Sequence, residues 1–428
     1  MKTKHKVHVI TMGCAKNVVD SEKLMAQLRS SDVELTPSIE GADIAVINTC
    51  GFIDPAKEES IDMIIDNVKL KTQGKLKKVY AMGCLSERYR ADLAKEIPEV
   101  DGFFGSHQMQ DVLEELGAKY KYELLGERTL TTPAHFAYLK ISEGCDNPCS
   151  FCAIPIMRGK HVSRSVGEIL SEARLLAAKG VKELVVIGQD TTYYGLDSQG
   201  RRSLAELLDR LGDVHGIEWV RLMYAYPARF PKDVLRVIAR HPKVCKYLDM
   251  PVQHVADEVL KSMRRGISLR ALRDLIDAIR DQVPDIALRT TLIVGYPNET
   301  EKEFNDLLNF VGDTEFDRAG VFVYSREDGT TAYSLGDPVS HDEKQKRREM
   351  IMHVQQGVSK RKNEMLIGTR QKVLVDRAEE GLFIGRTERD APEIDNEVHI
   401  RSRGQMQVGG FYDVDIAGAS AYDLYGTL

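Results

Sequence analysis

Short apolar runs alternate with helical periodicity in the first quarter of the chain. Three runs of strand type, residues 6–11, 43–48 and 78–82, are each followed by a segment with apolar residues at helical spacing. An order of strand, helix, strand, helix is typical of a parallel sheet. We therefore predict an N-terminal parallel-sheet α/β domain over residues 1–118.

The alternation stops over residues 119–135, which we predict to form a linker, and it resumes from residue 136. Six consecutive βα units indicate a full or partial (β/α) barrel, which we place, with a connecting helix, at residues 136–362. The predicted strands are 137–141, 183–187, 218–223, 246–250, 287–294 and 320–323.

The pattern changes again near the C-terminus. A long polar helix is predicted over 341–366, and its many Lys and Arg side chains are typical of a solvated connecting helix. Short alternating segments then follow, separated by Gly and Asp, and they indicate a small all-β barrel over 363–428. These segments are 371–376, 382–387, 397–400 and 412–417.

Composition excludes several classes of protein. A chain of 428 residues is too long for one core, so two or three domains are expected. No apolar run approaches the roughly 20 residues of a membrane helix. The N-terminus is too polar for a signal peptide, and we expect a cytoplasmic protein. The net charge of −6 gives no general attraction to nucleic acid.

The chain has seven cysteines. An odd number in a chain without an export signal argues against structural disulfides. Six of the cysteines fall into two groups of three. Cys245 stands alone and is expected to pack in the core.

Cys145, Cys149 and Cys152 form a C-x3-C-x2-C motif in the loop after the first barrel strand. Barrel active sites lie at the carboxyl ends of the strands. Three thiolates can hold a 4Fe-4S cube by three corners and leave the fourth iron open. A structural zinc site is the alternative, but zinc takes four ligands, and the next His, His161, lies beyond a Pro.

In this context the motif resembles the radical S-adenosylmethionine superfamily. The resemblance implies a partial (β/α) barrel and a 4Fe-4S cluster on the three cysteines, whose open iron binds S-adenosylmethionine. It also implies reductive cleavage to a 5′-deoxyadenosyl radical that abstracts hydrogen. An iron-sulfur electron-transfer protein is the alternative from another class, but such proteins usually saturate each cluster with four cysteines.

Cys14, Cys50 and Cys84 are far apart in sequence, yet each directly follows a predicted strand of the N-terminal sheet. The carboxyl ends of parallel strands line one crevice, so these thiols should converge. A glycine adjoins each cysteine and allows close approach of a bulky ligand. Three buried core cysteines are the alternative. We predict a second three-cysteine cluster.

Two such clusters followed by a small β domain resemble the methylthiotransferases over the whole chain. The resemblance implies an N-terminal domain with an auxiliary 4Fe-4S cluster, a radical domain and an OB-like TRAM domain that docks substrate. These enzymes insert sulfur into a C–H bond and methylate it. S-adenosylmethionine serves as methyl donor and radical source, and a low-potential reductant of flavodoxin or ferredoxin type supplies electrons.

Two branches of that family compete. The MiaB-like branch modifies an adenosine of transfer RNA, and the RimO-like branch modifies an aspartate of a small-subunit ribosomal protein beside the decoding centre. The run GCAKN at 13–17 stands where the tRNA branch usually has GCQMN. The runs CGFI at 50–53, CAIP at 152–155 and RGK at 158–160 also resemble the ribosomal-protein branch.

Charge favours the same branch. Residues 363–428 contain 12 Asp and Glu but seven Lys and Arg. Because RNA binding depends on neutralising phosphates, an acidic barrel is a poor clamp for tRNA, while it suits a basic ribosomal protein. The charge could also simply keep a small domain soluble. We predict methylthiolation at the β-carbon of the ribosomal aspartate, with tRNA adenosine as the alternative.

Further residues at predicted strand ends face the barrel mouth. By resemblance, Gln189, Gln253 and Tyr324 contact S-adenosylmethionine or substrate, and Arg289 pairs with a carboxylate of one of them. Phe151, between two cysteines of the motif, either stacks near adenine or shields the cluster from water. Each of these residues could equally be an ordinary polar or apolar cap of a strand end.

Overall fold

The computed structural model describes residues 5–31, 33–379, 381–402 and 404–428, so residues 1–4 of the predicted first domain lie outside the described residues. Along the chain it has an N-terminal parallel sheet, a central parallel sheet and a C-terminal closed β-barrel. The predicted fold class is confirmed. No helix in the described ranges is long and apolar enough to span a membrane.

The N-terminal sheet has five parallel strands in the order β2-β1-β3-β4-β5. The three strands that precede cysteines, β1, β3 and β4, are neighbours, so their carboxyl ends lie side by side. The strands are β1 (His5–Thr11), β2 (Val33–Leu35), β3 (Ile44–Thr49), β4 (Lys78–Gly83) and β5 (Gly102–Phe104). The helices are α1 (Ala15–Arg29), α2 (Asp54–Thr72), α3 (Cys84–Glu96) and α4 (Met109–Glu115).

The central sheet has six parallel strands that follow one another in chain order and do not close into a full barrel. Apolar side chains on its outer face pack against the helices. The strands are β6 (Phe136–Lys140), β9 (Glu183–Ile187), β10 (Trp219–Leu222), β11 (Val244–Asp249), β12 (Ala287–Val294) and β13 (Arg318–Val323), with a short hairpin of β7 (Ser142–Glu143) and β8 (Val162–Ser163).

Helices connect these strands as the βα pattern predicts. Their boundaries are α5 (Ile154–Arg158), α6 (Val166–Ala178), α7 (Leu196–Gln199), α8 (Leu204–Gly212), α9 (Asp233–Arg240), α10 (Asp257–Ser262), α11 (Leu269–Gln282), α12 (Glu301–Thr314) and α13 (His341–Glu364).

Helix α13 is less solvated than its composition predicts. Lys344 and Arg347 lie on a buried face, where Lys344 pairs with Asp337 and Arg347 pairs with Glu299 at 2.6 Å. The loops around α13 supply the carboxylates that pair with these cations. This is why part of the charged run is buried although its composition predicts a solvated face.

The C-terminal barrel closes in the strand order β14-β15-β16-β18-β17. Alternate residues such as Val373, Val375, Val414 and Ile416 fill its interior, as the alternating pattern predicts. The strands are β14 (Arg370–Glu379), β15 (Leu382–Thr387), β16 (Val398–Arg401), β17 (Phe411–Ala419) and β18 (Leu424–Thr427).

The predicted linker, residues 119–135, contributes a buried side chain that its sequence pattern does not predict. Arg128 is buried and donates to Glu22 of α1 at 2.9 Å and to Glu172 of α6 at 3.1 Å. One guanidinium thereby ties the first helix of the N-terminal sheet to a helix of the central sheet.

Candidate functional site

The dispersed cysteines meet at the carboxyl edge of the N-terminal sheet. Cys14 is the N-cap of α1, Cys50 follows β3, and Cys84 is the first residue of α3. All three are free thiols. Burial, partly offset by the charge of Arg158 and supported by the nearby Cys14 and Cys50, raises the pKa of Cys84 to about 11. The pairing of β1, β3 and β4 thus brings together three cysteines that are distant in sequence.

Gly13 makes this convergence possible. Its φ is +86°, and a Cβ there would lie 2.7 Å from the Cys50 Cβ and 2.9 Å from the Cys50 Sγ. A real side chain would therefore occupy the space into which the Cys14 turn approaches Cys50.

The local cysteines lie in the loop between β7 and α5. Burial, with a smaller contribution from Cys149, raises the pKa of Cys152 to about 12. The Cys149 thiol accepts from Nη1 of the buried Arg265 at 3.3 Å and lies 3.7 Å from the hydroxyl of Tyr226. The three thiols are thus close to one another and to a fixed positive charge.

Arg158 connects the two cysteine groups. It is the last residue of α5, the helix that follows the local cysteine loop. Its Nε donates to the Cys84 Sγ at 3.3 Å. Its Nη1 lies 2.7 Å from Asp20 and 3.3 Å from Glu143, the residue before Gly144 and Cys145. Both groups therefore adjoin the region around Arg158 between the N-terminal and central sheets, which is called the cleft below.

The carboxylates around Arg158 are held in their charged form. Burial alone raises the pKa of Asp20, but the charges and hydrogen bonds of Lys140 and Arg158 outweigh it and lower the pKa to about 2. Lys140 also lies 2.6 Å from Glu143. The result is a buried network of two cations and two anions between the cysteine groups.

The donor set of each group fits an iron-sulfur cluster. Each supplies three free, soft thiols, and a guanidinium lies beside one sulfur of each group, Arg158 at Cys84 and Arg265 at Cys149. Across the described ranges, no group of three or more His, Cys, Asp or Glu side chains is arranged to hold a metal ion.

Three family models match the chain. The uncharacterized protein family UPF0004 matches residues 6–105, the Radical SAM superfamily matches 139–311, and the TRAM domain matches 367–428. A radical SAM domain implies an iron-sulfur cluster and S-adenosylmethionine.

Relatives decide the family. A protein of Chloroherpeton thalassium named ribosomal protein uS12 methylthiotransferase RimO is 53% identical over 433 residues, which cover 100% of both chains. A protein of the same name from Bacteroides thetaiotaomicron is 50% identical and covers 99% of this chain and 98% of that one. This chain belongs to the RimO methylthiotransferase family.

Solved structures resemble this RimO family member in fold alone. The radical S-adenosylmethionine methyltransferase TsrM of Kitasatospora setae, solved with cobalamin and a 4Fe-4S cluster, has a TM-score of 0.55 at 12% identity and covers 89% of this chain and 80% of its own. The cobalamin-dependent radical enzyme OxsB has a TM-score of 0.51 at 14% identity and covers 82% of this chain and 56% of its own.

Gln189 and Gln253 are the polar residues predicted at strand ends, and Gln189 reaches the start of the local cysteine loop. Gln189 donates to Glu143 at 3.1 Å. Gln253 has a φ of +71° and is fixed by backbone hydrogen bonds to Thr291 and Ile293. The side-chain amide oxygen of each is buried and accepts no hydrogen bond from the described residues. Both are free acceptors for a ligand, and their role stays a prediction.

Phe151 and Tyr324 belong to one apolar cluster beside the local cysteines. Phe151 packs against a group that includes Tyr296 and Tyr324, whose rings are 5.2 Å apart. Ser150 joins the cysteine loop to this cluster through a 2.9 Å hydrogen bond with the Tyr296 hydroxyl. The cluster forms an apolar wall of the site, and contact of either ring with the cofactor stays a prediction.

Arg289 lies on the inner face of the central sheet and is already neutralised. It pairs with Asp249 at 2.8 Å and with Asp395 of the C-terminal barrel at 3.3 Å. The sequence could not show that the segment around Asp395 reaches the inside of the sheet. A contact of Arg289 with cofactor or substrate stays a prediction.

Sequence reasoning assigned no role to Arg158, Arg265 or Tyr226. Arg158 stands in the run RGK, which carried the family resemblance but gave no hint that it reaches Cys84. Arg265 and Tyr226 come from loops far from the cysteines in sequence and carried no signal.

The acidic charge of the C-terminal barrel is partly internal. Asp376 pairs with Arg386 at 2.8 Å, and Asp390 accepts from Arg318 of β13 at 2.9 Å. Asp390 attaches the barrel to the central sheet, whereas the Asp376–Arg386 pair lies within the barrel, and neither carboxylate is available to a basic partner. The charge argument from sequence therefore counts more free acid than the surface offers.

Proposed function

We propose that this chain attaches a methylthio group to the β-carbon of an aspartate in the small-subunit ribosomal protein uS12. The observation that carries the proposal is the 53% identity, over the full length of both chains, to an enzyme named for uS12 methylthiolation. The runs GCAKN and CAIP, which resemble the ribosomal-protein branch, support the same choice over tRNA adenosine.

We infer two 4Fe-4S clusters, one on Cys145, Cys149 and Cys152 and one on the dispersed thiols of the N-terminal sheet. When bound, the first supplies the electron that cleaves S-adenosylmethionine, and the second supplies the sulfur. A low-potential reductant of flavodoxin or ferredoxin type is the required partner. The supporting observation is that each group has three free thiols and one adjacent guanidinium.

Residues of the chain supply positive charge to the site, orient the cofactor and exclude water. Arg158 and Arg265 keep positive charge beside cysteine sulfurs and so favour their anionic, iron-bound form. The free amide oxygens of Gln189 and Gln253 accept hydrogen bonds from the cofactor. The apolar wall with Phe151 excludes water, which protects a reactive radical from side reactions.

The domains divide the work accordingly. Residues 1–118 hold the auxiliary cluster, 119–135 link, 136–362 perform the radical chemistry together with the connecting helix, and 363–428 dock the substrate. The closed barrel at the C-terminus and the two open parallel sheets support this division.

The substrate is tested in a strain that lacks the gene. Mass spectrometry of uS12 and of digested tRNA, with and without the gene restored, measures both candidate products. We expect uS12 to lose its methylthio mass increment and tRNA to be unchanged. Loss of a tRNA modification with uS12 unaffected would reverse the assignment.

The roles of the two cysteine groups are tested separately. Replacing Cys145, Cys149 and Cys152 by Ala should abolish formation of 5′-deoxyadenosine and leave the iron of the other cluster in place. Replacing the dispersed cysteines by Ala should preserve cleavage of S-adenosylmethionine and abolish transfer of sulfur to uS12. Cleavage that survives the first replacement contradicts the role given to the local group.

A further inference from the structure

Lys16 is a buried residue whose ammonium has no counter-ion among the described residues. The residue is 7% exposed, and no hydrogen bond or ion pair of its Nζ is found in the described ranges. Its close contact is the face of Tyr224, whose ring centroid lies 3.0 Å from the Lys16 Nζ. Burying an ammonium is costly unless a carboxylate or equivalent acceptor compensates it, and an aromatic face compensates it only in part.

Lys16 lies near both cysteine groups, because it is two residues from Cys14 and its partner Tyr224 is two residues from Tyr226, which contacts Cys149. It is in the first turn of α1, directly after the Cys14 N-cap, and Tyr224 follows β10 at the carboxyl edge of the central sheet. The ammonium of the N-terminal domain therefore reaches across the cleft into the mouth of the central sheet.

The position of Tyr224 is tightly determined. Its φ is +58°, which is unfavourable for a residue with a side chain. Its N–H donates to Asp249 at 3.0 Å, and its carbonyl accepts from Thr191 at 3.1 Å. These hydrogen bonds hold the Tyr224 backbone in its unfavourable conformation and thereby fix the ring against Lys16.

Three other cations near the cleft already pair with carboxylates. Arg158, Lys140 and Arg289 each contact two carboxylates. Each of them would have to give up a partner to bind another anion. Lys16 has no such partner among the described residues, so it can pair with an incoming carboxylate without breaking another ion pair.

We propose that Lys16 binds the side-chain carboxylate of the target residue and so selects an aspartate. This inference rests on the proposed function. The carboxylate carbon is bonded directly to the β-carbon, so an anchored carboxylate fixes the reacting carbon between the two cysteine groups. A neutral base or amide offers the ammonium no charge to pair with, and Lys16 therefore acts in substrate specificity.

The test compares two substrates with two kinds of variant. Binding of uS12, and of a uS12 variant in which the target Asp is Asn, is measured with the reconstituted holoenzyme by fluorescence anisotropy. We expect the wild-type enzyme to prefer the Asp protein by about 10- to 100-fold, the range for a hydrogen bond to a charged group. Lys16→Met and Lys16→Gln should bind both proteins equally, and Lys16→Arg should retain the preference.

Lys69→Met is the matched control, because Lys69 is an exposed lysine of the same domain, 63% accessible and paired only with Asp66. It should retain the full preference. Bound iron and cleavage of S-adenosylmethionine without uS12 should both be unchanged in Lys16→Met, which shows that both clusters and the fold are intact.

A preference for Asp that persists in both neutral Lys16 variants overturns the proposal. Loss of cluster iron or of cleavage in both also overturns it, because Lys16 would then hold the two domains together. Failure of the wild-type enzyme to modify uS12 is a separate result that removes the proposed function itself.

Discussion

At the scale of single residues, Arg158 contacts four partners that its sequence motif does not predict. Its guanidinium contacts the thiol of Cys84, the amide of Asn17 and the carboxylates of Asp20 and Glu143. A planar group with five donors can serve all of these at once, and a lysine cannot. The run RGK was visible in the sequence, but three of the four partners of Arg158 lie in the N-terminal domain and could not be inferred from the local sequence.

We expect Arg158→Met to lower the free energy of unfolding by about 3–5 kcal/mol, because it leaves two buried carboxylates with Lys140 as their remaining cation. Arg158→Lys should cost less, since the charge remains. Thermal unfolding followed by circular dichroism measures the effect. Arg201→Met, at a 65% exposed residue, is the control, and equal melting temperatures for the two Met variants would refute the prediction.

At the scale of elements, the carboxyl edge of β1, β3 and β4 explains why the dispersed cysteines could be predicted as a site. Apolar runs that end in a glycine and a cysteine indicate strand ends, and strand ends of a parallel sheet share one edge. The order β2-β1-β3-β4-β5, which makes the three strands neighbours, comes from long-range pairing that local patterns do not contain.

Gly13→Ala should release the auxiliary cluster alone. Its Cβ would lie 2.7 Å from the Cβ of Cys50, so the Cys14 turn must move away. Bound iron is expected to fall by half, and cleavage of S-adenosylmethionine is expected to continue.

Gly41→Ala is the control for backbone strain, because Gly41 has a φ of +80° and no atom within 4 Å of the added Cβ. It should cost about 1–3 kcal/mol of stability and leave the iron content unchanged. Full iron content in Gly13→Ala would show that the close approach is not required.

At the scale of the whole molecule, charged residues join the C-terminal barrel to the central sheet. Glu183 contacts Arg221 at 2.7 Å and Arg386 at 2.9 Å, and Trp219 packs edge-on against Phe411 with ring centroids 4.8 Å apart. The barrel itself follows from its alternating pattern. Its attachment does not, because each partner looks like an ordinary surface charge in the sequence.

The contact between Asp376 of the barrel and His135, the residue before β6, should weaken in acid. Burial raises the pKa of Asp376, but the hydrogen bond from His135 and the charge of Arg386 outweigh it and hold the pKa below its usual value of 3.8. A carboxyl with a lowered folded-state pKa stabilises the fold above the unfolded pKa of about 3.9 and loses that contribution as the pH falls through the folded value.

We therefore expect Asp376→Asn to lower stability by about 1.5–3 kcal/mol at neutral pH, and we expect this penalty to shrink as the pH falls below about 4 and through the lower folded-state pKa. Melting temperatures measured from pH 7 to pH 3 give the difference at each pH. Asp209→Asn, at a 41% exposed carboxylate, should show little difference at any pH. A penalty for Asp376→Asn that is constant with pH would contradict the assignment.

The buried Arg128 has a consequence for how the reaction must be organised. It fastens α1, which begins at Cys14, to α6 through Glu22 and Glu172, and all three side chains are fully buried. Together with the contacts of Arg158, these buried ion pairs hold the N-terminal sheet and the central sheet in one fixed arrangement. On the proposed function, the loop of the ribosomal protein therefore has to enter a site whose two halves do not move apart.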